Sequence, residues 1–166
     1  VLAQVRGGVS TSRLYRELVV EQGLAAGAGA WYQSTALDDT RFGVSATPRP
    51  DVDMAKLETA MDAVIAKLAA DGPEAAELER AKTRLVAEAI YAQDNQATLA
   101  RIHGAALATG TTVDDVRNWP DEVKQVTADE VKEVARRYLV PARAVTSELL
   151  PARDAAAAPA SPEKRS

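Results

Sequence analysis

The sequence predicts an α+β domain, mostly helix with a small antiparallel sheet, and three observations carry that reading. Much of its 46% apolar content is alanine, and two Trp, four Tyr and one Phe are the only aromatic residues. The periodic segments are rich in Ala, Leu, Glu, Lys and Arg, which lose little side-chain freedom in a helix. Two runs, Leu24 to Ser34 and Arg41 to Thr47, instead alternate small and larger residues around a turn-like Leu37-Asp38-Asp39-Thr40. A chain of 166 residues can bury a useful core as one domain. The expected division is a domain over 1–151 and a disordered Ala/Pro/Ser-rich tail over 152–166.

Val1 to Val5 is apolar and opens without a capping residue, so it reads as the last turns of a helix whose start lies upstream. Ser10-Thr11-Ser12 offers oxygens to orphan amides, and Leu14, Leu18 and Val19 continue at helical spacing until Gly23 stops them. The two strands follow, closed by Pro48 and Pro50, which cannot donate to a ladder. Trp31 and Tyr32 adjoin in the first strand, which should point one inward and the other outward. Asp53 caps a helix that carries Leu57, Met61, Val64 and Leu68 on one face and ends at Asp71-Gly72-Pro73. Leu78, Ala81, Leu85 and Ala89 mark the next helix, to about Ala92, and the two are expected as an antiparallel pair. Gln96 to Thr109 is a third, alanine-rich helix around Leu99, Ile102 and Ala106, stopped by Gly110. Thr112 should cap only a short turn that Trp119-Pro120 interrupts. Thr127 with Glu130 forms a capping box ahead of Val131, Val134, Ala135 and Tyr138, and that helix ends before Pro141. Arg143 to Leu149 alternates enough to be a last strand.

Acidic and basic residues are interspersed, and a net charge of −4 leaves no basic stripe to follow a phosphate backbone, so nucleic acid is not an expected partner. No apolar run reaches the roughly 20 residues of a membrane span. The absence of cysteine excludes disulfides, thiolate zinc sites and cysteine nucleophiles without fixing a compartment.

Single residues give little chemistry. His103 has no Glu or second His three or four positions away, so packing or exposure explains it better than a metal. Glu77, Glu79 and Glu88 interleave with Arg80, Lys82 and Arg84 at pairing distances and read as a solvated helix face. The hydroxyls of Ser10, Thr11 and Ser12 are accounted for by capping, and Gly7-Gly8 lacks the Lys-Ser/Thr ending of a phosphate loop. Arg13 and Arg16, flanking Tyr15, are candidates for contact with a peptide or partner, as is Tyr32; structural pairing is the competing reading for the arginines.

The words themselves point further. Ser-Arg-Leu-Tyr-Arg-Glu-Leu-Val-Val-Glu-Gln-Gly-Leu-Ala over 12–25 is the most specific of them. Leu78-Glu79-Arg80-Ala81-Lys82, Ala100-Arg101, Trp119-Pro120, and Val126-Thr127-Ala128-Asp129-Glu130-Val131 with Tyr138-Leu139 and Pro141 follow in order. Together they resemble the C-terminal domain of an M16 (pitrilysin/insulinase, mitochondrial processing peptidase-like) zinc metallopeptidase. The resemblance spans about Gly7 to Pro151. It implies a LuxS/MPP-like metallohydrolase-type domain, with helices packed on one face of a small, mainly antiparallel sheet, incomplete at its N-terminus. It also implies one of two similar halves that enclose a peptide-binding chamber.

In such enzymes zinc is bound in the N-terminal half, by the two His of His-x-x-Glu-His and a distal Glu, and the motif Glu activates water. No such motif occurs here, so zinc is expected in the N-terminal half of the parent protein and no cofactor in this chain. The family also polarises the substrate carbonyl with an arginine and a tyrosine. Aligned through Glu21-Gln22-Gly23-Leu24-Ala25, those positions hold Val19 and Ala26, and neither can donate to an oxyanion. The resemblance therefore implies the non-zinc-binding half of a bacterial-type zinc metalloendopeptidase, contributing chamber wall and subunit contacts and inactive alone. The alternative is a non-catalytic M16-like peptide-binding or scaffold subunit. Expected partners are the N-terminal half of the same protein, a second M16-like subunit or a homodimer, and a peptide substrate. Export to a bacterial periplasm is compatible with the parent.

Overall fold

A computed structural model describes residues 1–3 and 13–150. The readings of Gln4–Ser12 and of the tail lie outside these residues; Leu2 and Ala3 are helical, as expected. Helix α1 begins as the α-helical turn Arg13–Tyr15 and continues as a π-helix over Arg16–Glu21. Strands β1 (Ala25–Tyr32) and β2 (Phe42–Pro48) form an antiparallel two-stranded sheet. Five helices follow: α2 (Met54–Asp71), α3 (Ala75–Tyr91), α4 (Gln96–Ala108), α5 (Val113–Gln125) and α6 (Ala128–Tyr138). Short 3-10 turns at Ala92–Asp94 and Pro141–Arg143 complete the described chain.

The π-helical stretch explains how α1 buries its apolar residues. An ordinary helix would turn Val19 about 100° away from Leu18. A wider turn, closed by Gln22 N–H donating to Glu17 C=O at 2.9 Å, brings Leu14, Leu18 and Val19 all into the interior. Gly23 then reverses the chain at φ +63°, a left-handed conformation that glycine adopts without steric cost.

The sheet register pairs Ala28 with Ala46, Ala30 with Val44, and Tyr32 with Phe42. Ala28, Ala30, Val44 and Ala46 pack against a core of Leu14, Leu18, Val19, Leu24, Ala25, Leu57 and Val64. Thus α1 and α2 cover one face of the sheet, as expected. The sheet's side chains are small there, so the covering helices supply most of the apolar bulk. A register shift between Ala25 and Gly27 leaves Ala26 out of the ladder and exposed.

Several expectations need correction. Trp31 and Tyr32 are both about half exposed, at 48% and 53%. Trp31 lies over Gly43, its partner across the ladder, while Tyr32 sits at the end of the strand. Helices α2 and α3 do not form an extended antiparallel pair: α2 packs chiefly against α6, and α3 against α5. They meet near their connecting turn, where Leu68 and Ala81 form a small cluster with Val1 and Leu2. Trp119-Pro120 does not interrupt the segment after Thr112, because α5 runs through both residues. Proline inside a helix costs about 3 kcal/mol. A reciprocal Thr112/Asp115 capping box upstream and buried Val123 downstream hold the helix on either side of it.

Thr127 and Glu130 cap α6 as expected, with Val131 and Ala135 buried, but Val134 and Tyr138 stay largely exposed. The expected last strand is absent. Pro141–Arg143 winds into a 3-10 turn, and residues 144–150 run on without regular structure or a ladder partner among the described residues.

A methyl group at Gly43 would fall inside the Trp31 indole. Gly43→Ala is therefore expected to lift Trp31 off the sheet and red-shift its fluorescence emission, measured in a Trp119→Phe background that leaves Trp31 as the sole indole.

Candidate functional site

Among the described residues, the most interior charged groups come from α1 and from the start of α3. Arg13 is 4% exposed and Glu77 6%, although the spacing around Glu77 suggests a solvated face. Arg13 Nη2 donates to Glu77 Oε2 at 2.6 Å and to the Gly72 carbonyl at 3.4 Å, and Nε donates to Glu77 Oε1 at 3.4 Å. The fork geometry suits arginine, whose planar guanidinium meets both carboxylate oxygens at once. Glu77 Oε2 also accepts from Glu74 N–H at 3.1 Å, closing a capping box at the start of α3. One carboxylate thus compensates a buried cation and satisfies a helix N-terminus, where negative charge is favoured.

Gly72 completes the arrangement. Its φ of +79° turns the chain between α2 and α3 so that its carbonyl meets Arg13, and a Cβ there would stand 3.2 Å from Lys132 Cβ. The clamp ties α1 to the α2–α3 turn. Burial acts to raise the Glu77 pKa, but hydrogen bonds from Arg13 and the Glu74 amide, with the charges of Arg13 and Arg16, outweigh it and hold the carboxyl below its ordinary range.

Arg16 stands beside this pair at 41% exposure, its Nη2 3.7 Å from Glu77 Oε1. Its Nε lies 3.4 Å from Glu21 Oε1, an ion-pair distance without hydrogen-bond alignment, and that nitrogen is enclosed. The two arginines therefore share one buried carboxylate, and Arg16 is the one that reaches the surface. Tyr32 lies elsewhere, at the end of β1. The structure brings Arg13 and Arg16 together through a residue that the sequence reading set aside. Glu77 sits three positions after Glu74 at the start of a helix, and that capping spacing was the signal that could have found it.

The positions matched to the family's arginine and tyrosine differ in setting. Val19 is 9% exposed within the core, and Ala26 is exposed at the β-bulge. His103 sits half-buried on α4 with its Nδ1 enclosed and without a hydrogen-bond partner. Among the described residues, no three His, Cys, Asp or Glu side chains come together as metal ligands would. Glu79 with Lys82 and Arg84 with Glu88 form the helix-surface pairs their spacing predicts, at 3.0 and 2.8 Å.

The class of this fold, a small antiparallel sheet covered by helices, is given by the comparisons. Residues 1–85 match the family model described as the peptidase M16 inactive domain, and the chain belongs to that family. A protease from Helicobacter pylori superposes with a TM-score of 0.77 at 20% identity, over 86% of this chain and 34% of that one. The inactive peptidase domain from Bordetella parapertussis gives 0.72 at 21% identity, over 85% of this chain and 75% of that one. The peptidase M16 inactive domain from Pseudomonas fluorescens gives 0.71 at 19% identity, over 82% and 32%. This chain thus spans about a third of the length of the Helicobacter protease. No curated protein sequence matches it significantly.

Removing one partner of the clamp strands the other in the interior. Arg13→Ala is expected to destabilise the fold by about 3–5 kcal/mol in urea unfolding, and Arg13→Met with Glu77→Leu by much less. Stability should also depend on pH. The native pKa of Glu77 is depressed, so its contribution is complete above the ordinary carboxylate pKa and is lost as pH falls through the lowered native value. Asp115 and Glu130 are depressed likewise by the amide and hydroxyl of Thr112 and Thr127, and add the same sign. Thermal melts taken downward from pH 7 should show Tm falling only in the acid range, with a smaller fall in Glu77→Gln.

Proposed function

We propose that this chain is the non-zinc-binding half of an M16 zinc metalloendopeptidase, forming part of the peptide-binding chamber and the contacts that hold the two halves together. One observation carries the reading: the positions matched to the carbonyl-polarising arginine and tyrosine hold Val19 and Ala26 within a domain of the inactive M16 family. Neither side chain can stabilise a developing oxyanion, so on this reading the electrophilic part of the site comes from outside these residues. The metal belongs to the N-terminal half of the parent protein, where it would activate water.

What this half contributes is surface. Trp31, Tyr32, Ile90, Tyr91, Leu107 and Trp119 are each at least 41% exposed and open to contact. Of the three residues nominated for peptide or partner contact, Arg16 and Tyr32 are open enough to make it, and Arg13 acts behind Arg16 by fixing the carboxylate the two share. The second reading, a scaffold subunit that binds peptide without cleaving it, rests on the same two positions.

A quenched-peptide assay separates the two readings. The chain alone should neither cleave peptide nor retain zinc after dialysis, and co-expression with its zinc-bearing half should restore cleavage that a chelator abolishes. Stoichiometric zinc or cleavage by the chain alone would sink the proposal; an assembled protein that binds peptide without cleaving it would establish the scaffold reading.

A further inference from the structure

The turn between α2 and α3 contains Asp71-Gly72, the one Asp-Gly step in the sequence, and Asn-Gly does not occur. That pairing has its own chemistry. The backbone nitrogen after an aspartate can attack the side-chain carboxyl carbon and close a succinimide ring, and the chief obstacle is the Cβ of the residue that supplies the nitrogen. Glycine has none. Asp71 is exposed at the end of α2, and its carboxylate has no hydrogen-bond or ion-pair partner among the described residues.

The native turn holds the nitrogen back. Gly72 N–H donates to the Leu68 carbonyl at 2.8 Å as the last link of α2, and Gly72 and Pro73 are both buried. On its other side the Gly72 carbonyl accepts from Arg13, which Glu77 fixes in place. Ring closure therefore requires the turn to open first, so its rate follows the population of the open turn.

We propose that Asp71-Gly72 is a site of spontaneous isoaspartate formation, gated by opening of the α2–α3 turn that the Arg13–Glu77 pair holds. Closure joins Gly72 N to Asp71 Cγ, and the amide proton leaves with a carboxyl oxygen as water. Water then reopens the ring. Entry at Cγ restores aspartate, whereas entry at the former main-chain carbonyl leaves the chain running through Cγ, with one more methylene in the backbone. The extra length falls between α2 and α3. It shifts the Gly72 carbonyl relative to Arg13 and the Glu74 amide relative to Glu77 Oε2, so the modification loosens the pair that shielded it. This inference is independent of the peptidase reading.

The test ages the 166-residue chain in warm neutral buffer and follows isoaspartate in the tryptic peptide 68–80, by shifted retention at unchanged mass and by fragmentation across residue 71. The urea-unfolded chain and the synthetic peptide 68–80 are the comparators. Expected are isoaspartate in both comparators, formation about tenfold or more slower in the folded chain, and faster formation in Glu77→Gln. Asp71→Glu, whose longer side chain closes a ring far more slowly, should show none. The aged, isoaspartate-enriched chain should unfold at lower urea than the fresh one. No isoaspartate at residue 71 in the unfolded chain, or a folded chain that reacts as fast as the peptide, overturns the proposal. So does a folded Glu77→Gln chain that reacts no faster than the unaltered one, or an isoaspartyl chain with an unchanged urea midpoint. The comparison of folded chain with peptide stands whether or not Glu77→Gln folds.

Discussion

The Arg13–Glu77 pair is the constraint on which the arrangement of this domain depends. Helix α1 is short, π-helical over most of its length, and bordered by a glycine turn, so local propensity alone would not hold it. Its position is set by two different forces at its two ends. Leu14, Leu18 and Val19 bury against the sheet and α2, and Arg13 reaches the α2–α3 turn. A buried ion pair adds little net stability over an apolar replacement, yet it accepts only one arrangement of the groups around it. Here that arrangement registers α1 against the start of α3.

Helix and strand placement was largely legible because it follows from local physics. The caps at Asp53, Thr112 and Thr127 and the left-handed stops at Gly23, Gly72 and Gly110 lie where side-chain oxygens and missing Cβ atoms require them. Failures came where a decision depended on a partner distant in the chain. The 144–150 segment alternates like a strand, but alternation cannot supply a ladder. Glu77 reads as one of several surface glutamates because Arg13 lies 64 positions away. Pro120 failed differently: its penalty is real, but the caps and the buried Val123 on either side outweigh it.

The candidate site was less legible than the fold. The resemblance alone matched Val19 and Ala26 to the family's two donors, while the sequence pattern nominated Arg13, Arg16 and Tyr32. It did not separate the roles of Arg13 and Arg16, which occupy adjacent turns of one helix. Only burial distinguishes the arginine that organises the interior from the one at the surface.

Helix α4 bears on how such a domain behaves as a unit. Ala106 is its only buried residue, and its main neighbours are α5 and the 3-10 turn before it. So little buried area gives α4 a lower opening free energy than the core around Leu14 and Val64. The domain's stability is then a hierarchy, with one end of the helical layer fraying and re-forming while the Arg13–Glu77 clamp stays closed. A single denaturation midpoint would average over both.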